Sequence, residues 1–224
     1  YKSTFTPYIL TKQQMNVIFE ACDSIEVGTL ANSQAVVIPA LFRIMYGTGI
    51  RVGEAVSLLR TDVDLSNNTL FIRDSKNGKE RIIPFSESVA KVCRAYRGSL
   101  SEEAMYASNF FVRRNGMPCN KKRIYNWFRK VLFMAGISHG GRGNGPRLHD
   151  VRHCFSVHSL AKMAADGIDL YYSLPILSEY LGHQSLEATE KYVRLTAEMY
   201  PGLLSQTNNI CAYAFPEAEF TNDD

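Results

Sequence analysis

Arg51 and Glu54 stand three residues apart in the run RVGE, a spacing that puts both on one helix face. An arginine just after a glycine turn, here Gly49, can aim its planar fork at an oxyanion. A surface salt bridge at a helix start would use the same two residues. The run His149-Asp150-Val151-Arg152 repeats the pattern, with His149 and Arg152 at i and i+3. If Val151, Cys154, Phe155 and Ala161 turn toward a core, His149 and Arg152 project from the first turn, where helix N-termini also favour anions. A capping histidine beside an exposed arginine is the commoner use of such a pair. A third cluster, Leu181-Gly182-His183, is followed nine residues later by Tyr192. Gly182 can close one helix and Ser185 can cap the next, which puts His183 in a tight turn and Tyr192 about two helical turns on.

The elements that must carry these residues are mostly helical. Thr11 is a suitable N-cap for a helix over residues 12–22, with Met15, Ile18 and Phe19 on one face. Residues 35–46 (AVVIPALFRIMY) read as a buried helix despite Pro39, ended by Gly47 and Gly49. A short helix is expected over 52–59. The period then changes: residues 69–73 (TLFIR) and 80–85 (ERIIPF) are β-like, and Asn77-Gly78 between them is a hairpin signal. A helix over 121–135 carries Ile124, Trp127, Phe128, Val131 and Met134, and Gly136 stops it. The basic, glycine-rich loop GGRGNGPR occupies 140–147, and a helix follows over 149–165. Two more helices flank Gly182-His183. The expected fold class is therefore mainly α with one small antiparallel β-hairpin or sheet.

Composition narrows the function classes. A hydrophobic content of 46% with 21% charged residues suits a globular core, and no apolar run approaches a membrane span. The five cysteines are widely spaced with no CxxC pair, which argues against structural zinc and for free thiols in a reducing cytoplasm. Net charge is +3, but unevenly spread: residues 113–152 hold ten Lys/Arg and one acid, Asp150. Residues 195–224 hold five acids and no Lys or Arg. A basic body with an acidic end fits a polyanion-binding surface joined to a segment that does not touch the polyanion. The sequence has no GxxxxGK[ST] phosphate loop and no carboxylate cluster suited to two metals, so no cofactor or metal is expected.

Taken in order, the clusters resemble the catalytic signature of the tyrosine recombinases, or phage integrases. The resemblance is carried by TGIRVGEAVSLLRTDVDL, SKNGKERIIP, LHDVRH and LGHQSLEATEKY, with YILTKQQMNVIFEA at the start, and covers roughly residues 10–196. It implies the DNA breaking-rejoining catalytic fold. It also implies that Arg51 and Arg152 are the catalytic arginines, Lys76 the hairpin lysine, and His149 and His183 the catalytic histidines. Tyr192 matches the nucleophile and Glu54 an acidic supporting residue. His153 fits a position that is often histidine, with no chemistry assigned to it. The segment 153–183 is longer than in compact members of the family.

The implied chemistry is phosphoryl transfer. Two permanently charged guanidinium forks stabilise charge on the phosphoryl oxygens. His149 serves as base for Tyr192, Lys76 protonates the leaving 5′-oxygen, and His183 hydrogen-bonds the phosphate. The expected activity is site-specific recombination of double-stranded DNA through a 3′-phosphotyrosine, as in integration or excision of a mobile element. A dimer or tetramer is expected to assemble on the DNA, with no membrane involved. Arg113, Arg114, Lys121, Lys122, Arg123 and Arg142 are candidates for contacting DNA phosphates. A type IB-like topoisomerase and a catalytically silent DNA-binding module are the alternatives. Residues 1–10 read as a linker from an N-terminal DNA-binding region, 11–196 as the catalytic domain, and 197–224 as a tail. The apolar run 210–215 in that tail suggests packing on the same domain or a neighbouring protomer.

Overall fold

The computed structural model describes residues 6–26, 33–73, 80–141 and 144–202. Helix α1 (Lys12–Asp23) starts where the sequence indicates: the Thr11 side chain accepts from the Gln14 N–H, and Gln14 Oε1 accepts from the Thr11 N–H at 2.9 Å. A 3-10 turn (Ala35–Val37) leads into α2 (Ile38–Thr48). Pro39 is accommodated because it occupies the first turn, where its missing N–H has no partner to lose. Gly49, with φ of 63°, ends the helix. Gly47 does not end it; it lies inside α2, where a Cβ would come 2.6 Å from Val89 Cγ2, so it lets two helices approach closely.

Helix α3 (Val52–Ser57) is shorter than the 52–59 expected, since Leu58 already adopts an extended ψ. Strands β1 (Val63–Asp64), β2 (Thr69–Ile72) and β3 (Arg81–Pro84) form an antiparallel sheet in the order β1-β2-β3. The hairpin β2–β3 agrees with the sequence reading, with Ile72 opposite Arg81 and Leu70 opposite Ile83. Its turn, including Lys76, lies outside the described residues. The two-residue β1 was not anticipated, because it is too short to show a period.

Helix α4 (Glu87–Gly98), capped by Ser86, and the short α5 (Glu102–Met105), capped by Ser101, add two elements that the pattern reading passed over. Helix α6 (Lys121–Met134) follows with Asn120 as its N-cap. Its Phe128 meets Phe42 of α2 edge to face at 5.7 Å, a buried pair whose truncation to Ala costs about 3–5 kcal/mol. Helix α7 (Asp150–Ala165) is the central element, packed against α2 and two later helices, and most of its circumference is buried. Those helices are α8 (Leu170–Leu181) and α9 (Glu187–Met199). Leu186, not Ser185, holds the N-cap of α9, and no side chain caps it. The core is one large cluster from α1 to the start of α7, joined to a smaller one of Val157, Leu160, Leu174, Leu177, Leu181, Tyr192 and Leu195. Cys22, Cys93, Cys119 and Cys154 are free thiols, and burial pushes each up to about 12. Among the described residues no helix is long and apolar enough to cross a membrane.

Candidate active site

Arg51 is the N-cap of α3, in extended backbone directly after the left-handed Gly49 turn. Its Nη1 donates to Glu54 Oε1 at 2.8 Å, and its backbone N–H donates to Glu54 Oε2 at 2.9 Å. The i,i+3 pair of the sequence is therefore real, but it is not a surface salt bridge. Only 7% of the Glu54 side chain is exposed, and a second arginine, Arg81 of β3, binds the same carboxylate at 2.9 Å. Burial raises the Glu54 pKa, but the hydrogen bonds and charges of Arg81 and Arg51 outweigh it and hold the carboxyl below its usual range.

Arg152 departs from the expected projection. It is 2% exposed and lies inside the molecule, donating from Nη1 to the Gly49 carbonyl at 2.7 Å and from Nη2 to the Leu181 carbonyl at 2.8 Å. One guanidinium thus joins the turn before Arg51 to the turn before His183. The expectation failed because periodicity treats Arg as a surface residue, whereas two inward-facing carbonyls satisfy this one. Burial, then the neighbouring charge of Arg51, lowers its pKa to about 10, so it stays charged at neutral pH.

The histidines are neutral by the same causes. Burial comes first, followed by nearby positive charge, and these pull His149 down to about 4, His153 to about 3 and His183 to about 4. His183 sits in the turn after α8, with Gly182 at φ of 65°, and its Nδ1 shares a 2.8 Å hydrogen bond with Thr189 Oγ1. Its ring stacks on Tyr192 at 6.2 Å. Tyr192 lies on α9, 1% exposed, and its hydroxyl shares a 2.8 Å hydrogen bond with His153 Nδ1. Burial raises the phenol pKa, against the partial opposition of Arg152. The sequence reading left His153 without a role. It could have been found as the residue one position beyond Arg152, one helical turn after His149, whose ring it meets at 5.0 Å.

A cleft of about 630 Å³ opens beside this group, lined by Arg51, Glu54, Arg73, Lys121, Tyr125 and His149. The structure therefore brings Arg51, Glu54, His149, Arg152, His183 and Tyr192 into one neighbourhood, with Lys121 on the rim. Lys122 and Arg123 are exposed on the first turn of α6. Arg114 faces a different groove, with Asp23, Arg43 and Lys91, so it is not part of this cleft. Arg113 is tied to its own loop by a 2.8 Å bond to the Pro118 carbonyl. Lys76 and Arg142 lie outside the described residues. Among the described residues no group of three or more His, Cys, Asp or Glu side chains comes together to hold a metal ion.

Three cationic guanidinium groups around one carboxylate leave a net positive site. That is an arrangement for an incoming anion, flanked by neutral imidazoles and a phenol. The profile of the phage integrase family matches residues 9–199. Tyrosine recombinase XerD of Corynebacterium glutamicum is 31% identical over 163 residues, covering 71% of this chain and 48% of that protein. A XerH site-specific recombinase bound to palindromic difH substrate, in a post-cleavage complex, superposes with a TM-score of 0.67 at 22% identity, over 92% of this chain and 55% of that one. A lambda integrase tetramer bound to a Holliday junction superposes with a TM-score of 0.60 at 18% identity, over 85% and 49%. The chain spans about half the length of the curated relatives it matches. With the family match running from the segment just before α1 to the end of α9, and the signature residues that are described meeting in one place, this chain belongs to the phage integrase family of tyrosine recombinases.

Proposed function

We propose that this chain is the catalytic part of a site-specific recombinase that cuts and rejoins DNA through a 3′-phosphotyrosine at Tyr192. The observation that carries the reading is the convergence of Arg51 and Arg152 near Tyr192 across three separate elements, α3, α7 and α9. The Tyr192 oxygen bonds to phosphorus as the bond to the 5′-oxygen breaks. The phenolic proton passes to a neutral imidazole, with His149 as the base, and Lys76 returns a proton to the leaving 5′-oxygen. Arg51 and Arg152 carry the charge on the non-bridging oxygens, and His183 hydrogen-bonds the same phosphate. Attack by the 5′-hydroxyl of another strand reverses the step and completes the exchange.

In this reading the partner is double-stranded DNA, met in the cytoplasm by Lys121 on the rim, by Lys122 and Arg123 exposed beside it on α6, and by Arg142. The solved relatives bound to DNA as higher assemblies support a dimer or tetramer on the substrate. The apolar run 210–215 of the tail lies outside the described residues, and its packing on its own domain or on the next protomer is part of the proposal. Residues 1–10 are assigned to a linker from a further DNA-binding region. The test is covalent capture on a duplex carrying a nick near the cleavage point, in buffer with EDTA. The wild-type chain forms an SDS-resistant adduct and Tyr192→Phe forms none while still binding. An adduct with the Phe variant rejects the assignment. Strand exchange between two marked duplexes separates recombination from simple relaxation of supercoils.

A further inference from the structure

We infer that Arg81 is a positioning residue for the cleavage step, offsetting the charge of the Glu54 carboxylate that orients Arg51 and fixing the His183 turn. This rests on the phosphoryl-transfer reading above. Arg81 opens β3, opposite Ile72 of β2, and its side chain is 6% exposed. A buried arginine is costly unless each face of its guanidinium is met. Here Nη2 donates to Glu54 Oε2 at 2.9 Å, Nη1 to Glu54 Oε1 at 3.4 Å, and Nε to the Tyr180 carbonyl at 3.1 Å.

Two consequences follow. First, the Glu54 carboxylate serves both arginines at once, since it also accepts from the Arg51 backbone and Nη1. A lone Glu54–Arg51 pair would orient Arg51 but cancel its charge. With Arg81 on the other side, the three groups sum to one positive charge, so Arg51 is oriented and remains available to a phosphate. Second, Tyr180 lies in the last turn of α8. A Cβ on Gly182 would come 3.0 Å from Arg81 Nη1, so the guanidinium packs directly beneath the turn that presents His183. The adjacent carbonyl, that of Leu181, takes Arg152. Two buried cations thus terminate α8, where the helix dipole favours them. Arg81 also follows the Lys76 segment, so its anchorage fixes the strand into which that segment runs.

The test begins with nicked duplexes of randomised centre, from which the wild-type 224-residue chain captures a substrate covalently. That duplex is then made with an ordinary scissile phosphodiester and with a methylphosphonate, which lacks the anionic non-bridging oxygen. Single-turnover cleavage at saturating DNA is compared for wild type, Arg81→Met and Arg81→Lys, with thermal melting run in parallel. On the phosphodiester, Arg81→Met slows cleavage about 100-fold, the scale of losing one charge-stabilising donor, with little change in DNA affinity. Arg81→Lys recovers part of the rate, having the charge without the fork. On the methylphosphonate the deficit of both variants shrinks markedly, because less charge has to be stabilised. Equal deficits on the two substrates overturn the inference and leave Arg81 as a structural brace. A wild-type rate in Arg81→Met overturns it outright. If Arg81→Met does not fold, Arg81→Lys decides by the same two substrates. If the wild-type chain captures no duplex, the phosphoryl-transfer reading falls, and this inference with it.

Discussion

Tyr192 Oη and His153 Nδ1 lie 2.8 Å apart in a space that leaves 1% of the tyrosine exposed. With its pKa pulled down to about 3, His153 is neutral, and its Nδ1 can take the phenolic hydrogen. Each group satisfies the other where no solvent reaches, so attack on DNA requires the hydroxyl to exchange this partner for a phosphate.

The bond has a measurable consequence. Removing either partner strands the other, at about 1–3 kcal/mol for a buried polar group. Urea unfolding of His153→Ala, Tyr192→Phe and the double variant forms a cycle, with an expected non-additivity of about 1 kcal/mol. Strictly additive losses would show that the two groups do not share a bond in solution.

Arg51 and Arg152 separate by what else they hold. Either Lys variant loses the planar fork, and cleavage should fall by about 10²–10³ in each. Stability should distinguish them. Arg152→Lys breaks a two-carbonyl bridge inside the protein, from Gly49 to Leu181, at about 2 kcal/mol for lost charged hydrogen bonds. Arg51 is 23% exposed on its side chain and pairs with one carboxylate that Arg81 also satisfies, so Arg51→Lys should cost under about 1 kcal/mol. Equal losses of melting temperature would contradict the buried bridge.

The glycine turns offer a third check. At Gly49, φ is 63° and a Cβ would come 2.4 Å from Phe155 Cδ1, a rigid ring. At Gly182, φ is 65°, and the nearest atom, Arg81 Nη1, would lie farther off at 3.0 Å. Both Ala variants suffer the left-handed backbone cost of about 1–2 kcal/mol. Gly49→Ala adds overpacking of about 1–3 kcal/mol and should be the worse of the two in calorimetry.

Much of this was legible in the residues. Thr11 with Gln14, Gly49 after an apolar run, and the β-branched hairpin each act locally, so their effects show in sequence. The signature residues came from resemblance, and the structure brings those it describes together. What stayed hidden is non-local. Arg81 looks like an ordinary polar strand residue until Glu54 and Tyr180 are placed beside it. Arg152 looks like a surface residue until two distant carbonyls meet it. His153 gains its meaning only when α9 lays Tyr192 against α7. Helix α4, by contrast, is local and legible: Ser86 is an N-cap residue, and Val89, Ala90, Cys93 and Tyr96 recur at helical spacing on the face that the structure buries.

Acid should destabilise the protein well above the range where its carboxylates titrate. His158 and His183 have pKa values pulled down to about 4 and His153 to about 3, each first by burial, whereas His149, also lowered to about 4, is exposed to solvent and contributes less. In the unfolded chain each titrates near ~6.5. The sign is fixed by proton uptake: between those values the unfolded state binds more protons, so stability rises with pH there. The contribution is fully present above about 6.5 and is lost as pH falls from there toward 4 and below. Glu54, with its lowered pKa, adds a loss in the same sense at lower pH, while buried Asp150, whose pKa burial raises, opposes it. Melting temperature should therefore drop from pH 6.5 to 4.5, with net proton uptake on unfolding in that window. His158 offers a control away from the arginine cluster, because its Nδ1 shares a 2.7 Å bond with the Tyr46 hydroxyl. His158→Gln should shallow the acid limb by one histidine's share while leaving the geometry at Tyr192 intact. A melting temperature flat from pH 6.5 to 4.5 would mean that these histidines are not held neutral by the fold.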